Sequence, residues 1–145
     1  MKLNCDLGEQ DRVLVDGPEH QAMPYIDMAN IACGFHAGNR QTMIDTIALA
    51  KQHGVSIGAH PSYPDRENFG RLSMALSKAD VCDAVYQQIT LLDALCDDQD
   101  CSLDYVKPHG ALYHDLLHNT ETREGIFKAV ALLNPVSYTH LRAHE

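Results

Sequence analysis

Asn30-Ile31-Ala32-Cys33-Gly34-Phe35-His36-Ala37-Gly38-Asn39 decides how the chain is read. An apolar run ends at Cys33, two glycines bracket one imidazole, and an amphipathic helix begins near Arg40. A strand, a tight glycine loop and a helix start in succession make a βα unit. Small anions are favoured at such a helix start, because its free N–H groups and dipole point outward. Gly34 and Gly38 allow the backbone positive φ and a close approach to a ligand. His36 lies between them.

The same alternation recurs on both sides. Upstream, residues 3–7 read as a short strand with Asn4 and Asp6 on one face. Residues 9–19 read as a polar loop, followed by a short helix over 19–23 that Pro24 stops. A second strand falls within residues 25–33. Downstream, Asn39 is the expected N-cap of a helix with Met43, Ile44, Ile47, Ala48 and Ala50 on its buried face, and Gly54 suits its C′ position. Residues 55–60 predict a third strand, closed by His60-Pro61.

A long polar loop over 62–76 carries Tyr63, Asp65, Arg66, Phe69, Gly70 and Arg71; loops of this length are commonly functional or mobile. Ser77 should cap a helix striped by Val81, Val85, Ile89, Leu92 and Leu95 or Cys96. Residues 103–106 predict a fourth strand, followed at once by Lys107-Pro108-His109-Gly110. Helices are expected over 111–118 and 121–132, the second capped by Thr120. Repeated β-then-α order predicts an α/β protein with about four parallel strands and covering helices.

In such folds ligands bind at the carboxyl ends of the strands. Polar groups collect there: Asn4 and Asp6 after the first strand, His36 after the second, His60 after the third, and Lys107 and His109 after the fourth. One histidine at a strand end is usually structural, but four consecutive strand ends with such groups point to a shared site. Asp6 with His36 and His60 forms a candidate divalent-metal set that leaves room for water. The same groups suit metal-free acid–base work, with Asp6 as base or orienter and a histidine carrying the proton. Lys107 would neutralise a carboxylate or a phosphate. No G-x-x-x-x-G-K-[ST] loop is present.

Composition narrows the partners. Eleven Lys and Arg against 20 Asp and Glu give a formal charge of -9, which argues against a nucleic-acid or anionic-membrane partner. Five cysteines without a C-x-x-C pair suit free thiols in a reducing cytoplasm. Neither a signal-peptide pattern nor an apolar run of membrane-spanning length is expected from the sequence.

The motifs Asn4-Cys5-Asp6-Leu7-Gly8-Glu9, Ala29 to Gly38, Gly58-Ala59-His60-Pro61, Phe69-Gly70-Arg71 and Val106-Lys107-Pro108-His109-Gly110-Ala111-Leu112-Tyr113 resemble the LamB/YcsF family, in order and over residues 2 to about 135. The resemblance implies an incomplete, distorted (β/α) barrel of the glycoside hydrolase/deacetylase type. It implies one component of an ATP-dependent 5-oxoprolinase, which opens the lactam of 5-oxoproline to glutamate, with ATP as cofactor and the B and C subunits as partners. It also suggests Asp6, His109 and Lys107 as catalytic residues. Asn4, Asn30, His36, His60 and Arg71 would contact substrate. A metal-dependent carbohydrate deacetylase and an inactive truncated fragment are the alternatives. Residues 1–135 would be the N-terminal part of one barrel domain. Residues 136–145, which fit neither the family pattern nor a next strand, are expected to be a disordered or artefactual tail.

Overall fold

The computed structural model describes residues 1–133; the expected tail over 136–145 lies outside them. Four strands form one parallel sheet in sequence order: β1 (Asn4–Leu7), β2 (Met28–Ala32), β3 (Ser56–His60) and β4 (Tyr105–Val106). The sheet is open, with β1 and β4 at its edges. Five helices connect and cover it: α1 (Pro18–Ala22), α2 (Arg40–His53), α3 (Lys78–Asp97), α4 (Gly110–His118) and α5 (Thr120–Leu132).

Helix α2 starts where Asn39 caps it, its side chain accepting from Thr42 N, and ends at Gly54, which takes the left-handed conformation (φ 67°). Ser77 caps α3 by accepting from Asp80 N. The α3 stripe of Val81, Val85, Ile89, Leu92, Leu95 and Cys96 is fully in the core. All five cysteines are free.

Several boundaries differ from the sequence reading. Asn119, not Thr120, caps α5 by accepting from Thr122 N. An asparagine one residue earlier offers the same oxygen, and Thr120 becomes the first helical residue. The short helix begins at Pro18 and its α-helical part ends at Ala22, just before Pro24, which lies in a 3-10 turn over Met23–Tyr25 where proline's fixed φ is accommodated. Ala48 is exposed, and Thr42, Thr46 and Leu49 take the buried places beside Met43, Ile47 and Ala50. Thr42 and Thr46 can be buried because their hydroxyls are satisfied: Thr46 donates to Thr42 O one turn back, and Thr42 donates to the carbonyls of Gln10 and Asp11 in the loop after β1.

Register then decides what the sheet presents. Leu7, Ile31, Ala59 and Val106 are neighbours in adjacent strands and form one row of the hydrophobic core. Side chains alternate along a strand, so the next row, Asp6, Asn30, Gly58 and Tyr105, belongs to the opposite face. Asn4, His60 and Lys107 share that face by the same two-residue step. One face of the sheet is therefore the core and the other is polar.

Gly58 makes the polar row fit. A Cβ there would lie 2.1 Å from Tyr105 Cε2, so only glycine leaves room for the ring to cross β3. The Tyr105 hydroxyl thereby reaches Asn30 and donates to its Oδ1. Gly58→Ala is expected to destabilise the fold by about 1–3 kcal/mol, the usual cost of overpacking. Urea unfolding would measure it, and the penalty should shrink in a Tyr105→Ala background. Equal penalties in both backgrounds would contradict the steric account.

Candidate active site

The polar row becomes a site through a chain of hydrogen bonds. Asn30, completely buried, donates from Nδ2 to Asn4 Oδ1 (2.8 Å) and to Asp6 Oδ1 (2.9 Å). Its own oxygen is held by Tyr105. Asn30 was expected to contact substrate; its polar atoms are instead committed to neighbours, and it holds Asp6 in place. Lys107 Nζ approaches Asn4 Oδ1 (3.3 Å) and Asp6 Oδ1 (3.4 Å). The other carboxylate oxygen, Oδ2, lies 3.4 Å from His60 Nε2. Burial works against a charged Asp6, yet hydrogen bonds from His60 and Asn30 and the Lys107 charge outweigh it and hold the carboxyl below the ordinary carboxylate range.

Two main-chain carbonyls set the histidines. His60 Nδ1 is 2.6 Å from Lys107 O, and His109 Nε2 is 2.8 Å from Phe69 O. A carbonyl only accepts, so both of these nitrogens carry hydrogen. The remaining nitrogens, His60 Nε2 and His109 Nδ1, face each other 3.0 Å apart. Burial, reinforced by His36 and His60, lowers the His109 pKa to about 4, so His109 is neutral near pH 7 and its Nδ1 presents a lone pair. A lone pair on each inner nitrogen beside a carboxylate is repulsive. Something positive belongs between them, either a proton on His60 Nε2 or a bound cation.

Glu9 completes the constellation. Gly8 takes φ 74° and turns the chain, and its N–H is held by the buried Glu19 carboxylate at 3.1 Å. Asp6, Glu9, His60 and His109 each offer a ligand atom, and all four atoms lie within 4.8 Å of one another. Ligands about 2.0–2.1 Å from a tetrahedral zinc-type ion are roughly 3.3 Å apart. The observed 3.0 Å and 3.4 Å separations bracket that value. Imidazoles that give their outer N–H to carbonyls are also the usual preparation of metal ligands. The donor set therefore fits a divalent cation.

His36 was expected among the ion's ligands, but it stands behind the cluster. Its ring stacks on His109 (centroids 3.8 Å apart, planes 10° apart), and its Nε2 meets Glu9 Oε1 at 3.0 Å. Burial lowers its pKa despite the Glu9 contact. A neutral ring donates from Nε2 to Glu9 and leaves Nδ1 bare, which agrees with that buried atom having no partner among the described residues. Glu9 and Phe69 fall within the quoted motifs, but the sequence assigns neither a role at the site. Glu9 falls beyond the strand in a polar stretch, and only the left-handed Gly8 brings it back.

A cleft of about 570 Å³ opens over the cluster, lined by Asp6, His60, Lys107 and His109 on one side and by Arg71 and Tyr113 among others. Asn4, Asn30 and His36 are not part of that lining. The structure thus unites Asp6, His60, Lys107, His109 and Arg71 at one cavity, with Asn30 and His36 buried away from it and Asn4 exposed outside its lining.

Fold and site together define an α/β protein with an acid–imidazole centre at the carboxyl ends of its parallel strands. The chain belongs to the LamB/YcsF family, whose model matches residues 1–143. It is 47% identical over 134 residues to the A subunit of the Vibrio cholerae 5-oxoprolinase, covering 92% of this chain and 54% of that protein. To the corresponding 5-oxoprolinase subunit of Chromohalobacter salexigens it is 47% identical over 133 residues, covering 92% and 53%. The crystal structure of the lactam utilization protein from Thermus thermophilus matches with a TM-score of 0.87 at 41% identity, over 92% of this chain and 54% of that one. The chain spans about half the length of the curated relatives it matches. Among the described residues no helix is long and apolar enough to cross a membrane.

The Asp6 environment has a consequence for stability. A carboxyl held below its ordinary pKa stabilises the fold above that pKa and loses the contribution as pH falls through it. The difference in urea midpoint between wild type and Asp6→Asn should therefore be largest near neutrality and shrink as pH is lowered from about 5 towards 2. A difference independent of pH would contradict an ionised, hydrogen-bonded Asp6.

Proposed function

We propose that the chain carries part of the reaction centre of a 5-oxoprolinase, as its A subunit, working in the cytoplasm with the B and C subunits to open 5-oxo-L-proline to L-glutamate with hydrolysis of ATP. The observation that carries this reading is the Asp6–His60–His109 cluster under an open cleft, in a chain whose relatives are named for that lactam chemistry.

A five-membered lactam is a poor electrophile, which is the chemical reason for coupling to ATP. Phosphorylation of the lactam oxygen prepares the ring carbon for water. Water adds, the C–N bond breaks as the nitrogen takes a proton, and a second water releases phosphate from the resulting acyl phosphate. The described residues contain no Walker-type cradle, so a nucleotide held by this chain would need a different cradle.

Within this chain the roles follow from geometry. Asp6, held ionised, is a weak base and serves to orient the His60 ring through its Oδ2. His109 Nδ1 and His60 Nε2 are the proton-handling atoms, since their outer nitrogens are tied to carbonyls. The Lys107 ammonium faces the negative charge that develops on the substrate oxygen. His36 and Glu9 fix the plane of His109 from behind through the ring stack. Asn4 and Asn30 position Asp6. Residues 1–133 contribute this centre as one part of a barrel-type domain.

A divalent cation would be held by Asp6, Glu9, His60 and His109, with His36 outside the set. There it would activate water or polarise a carbonyl. The purified chain is expected to take up one Zn²⁺ in isothermal titration, and His60→Ala should weaken the uptake by about tenfold or more. Unchanged affinity in that variant would contradict the ligand set. In the enzyme assembled with its partner subunits, His109→Ala is expected to abolish ATP-dependent glutamate formation. Near-normal turnover would overturn its assignment. Release of acetate from acetylated sugars without ATP would instead favour the deacetylase reading, which the same acid–imidazole cluster suits.

A further inference from the structure

Two cations line the cleft, and they stand in different circumstances. Lys107 is engaged with Asp6 and Asn4. Arg71 has no carboxylate partner among the described residues. Its guanidinium lies over the Phe69 ring, with Cζ 5.2 Å from the centroid. The chain has almost twice as many acidic as basic residues. An exposed arginine that lines a cleft and yet meets no carboxylate among the described residues is open to an anion from solution.

The platform under Arg71 is built at a conformational cost. Phe69 adopts φ 54°, a left-handed conformation that a bulky residue avoids unless its surroundings impose it. Those surroundings are visible. The Phe69 ring meets His36 and His109 edge-on at 4.9 Å and 5.0 Å. Its carbonyl accepts from His109 Nε2. Next to it, Gly70 donates to Asp65 O at 2.7 Å and accepts from Ala111 N at 3.0 Å, which stitches the turn to the start of α4. One turn thereby presents a carbonyl to His109 and an aromatic face to Arg71. It places the guanidinium beside the histidine cluster, over a ring that attracts cations.

We propose that Arg71 is the carboxylate-recognition group of the cleft, selecting a small ring compound that bears a carboxylate and aligning its reactive bond with the Asp6–His60–His109 cluster. The lactam identity of the ring rests on the oxoprolinase reading, whereas the carboxylate site rests on Arg71 and Phe69 alone. A planar guanidinium matches a carboxylate through two parallel hydrogen bonds, and among the described residues no carboxylate pairs with Arg71. A neutral lactam would lack this contact.

Three probes separate the ideas in isothermal titrations of the purified chain. These are 5-oxoproline, its neutral parent ring 2-pyrrolidinone, and cyclopentanecarboxylate, which keeps the acid without the lactam. Wild type should bind both carboxylates more tightly than 2-pyrrolidinone. Arg71→Gln should weaken both carboxylates by about 10- to 100-fold, the worth of a charged hydrogen bond, and leave 2-pyrrolidinone unchanged. Arg71 is exposed and outside the core, so the variant should fold, as circular dichroism would verify. If wild type binds cyclopentanecarboxylate through Arg71 as well as it binds 5-oxoproline, the carboxylate site stands and the lactam reading falls. Wild-type affinity for both carboxylates in Arg71→Gln, or no carboxylate binding by wild type, would overturn the proposal.

Discussion

Two backbone carbonyls, Lys107 O and Phe69 O, hold the outer nitrogens of His60 and His109 and so determine what the inner nitrogens offer. Without them either ring could turn or exchange its tautomer, and the 3.0 Å approach of the inner nitrogens would not create a place for positive charge. Both carbonyls belong to segments leaving the sheet's carboxyl edge. One follows β4 directly. The other sits in a turn whose left-handed Phe69 is sustained by ring contacts and by Gly70's hydrogen bonds to Asp65 and Ala111. Backbone strain and side-chain chemistry are thus linked through one residue.

A similar dependence runs through the sheet. Parallel pairing in register places Asp6, Asn30, Gly58 and Tyr105 in one row. Missing side-chain volume at Gly58 lets Tyr105 reach Asn30, and Asn30 in turn fixes Asp6. A residue without a side chain therefore supports the orientation of a carboxylate two strands away. The buried amide of Asn30 finds partners for both its nitrogen and its oxygen within this row and its neighbours, as burial of polar atoms requires.

Much of this was legible in the sequence, for identifiable reasons. Asn39, Gly54 and Ser77 mark helix ends by local chemistry, which does not depend on distant contacts. The α3 stripe is legible because its period is long and regular. Asp6, His60, Lys107 and His109 could be gathered because the ends of parallel strands converge. What escaped depended on distant geometry. Glu9 enters the cluster only through the φ of Gly8. His36 has the sequence context of a ligand, but its ring is turned to stack on His109 and to meet Glu9. Asn30 lies at a strand position that suits a substrate contact, yet Tyr105, 75 residues away, claims its oxygen.

The central claim is the tautomeric state of the two histidines, and nitrogen-15 NMR of the imidazole rings near neutral pH measures it directly. His109 is expected to carry its proton on Nε2 with Nδ1 bare, and His60 to keep hydrogen on Nδ1. Added Zn²⁺ should then shift the signals of His109 Nδ1 and His60 Nε2 and leave the outer nitrogens protonated. A proton on His109 Nδ1 with Nε2 bare would contradict the carbonyl-set arrangement, and with it the acid–imidazole centre built upon it.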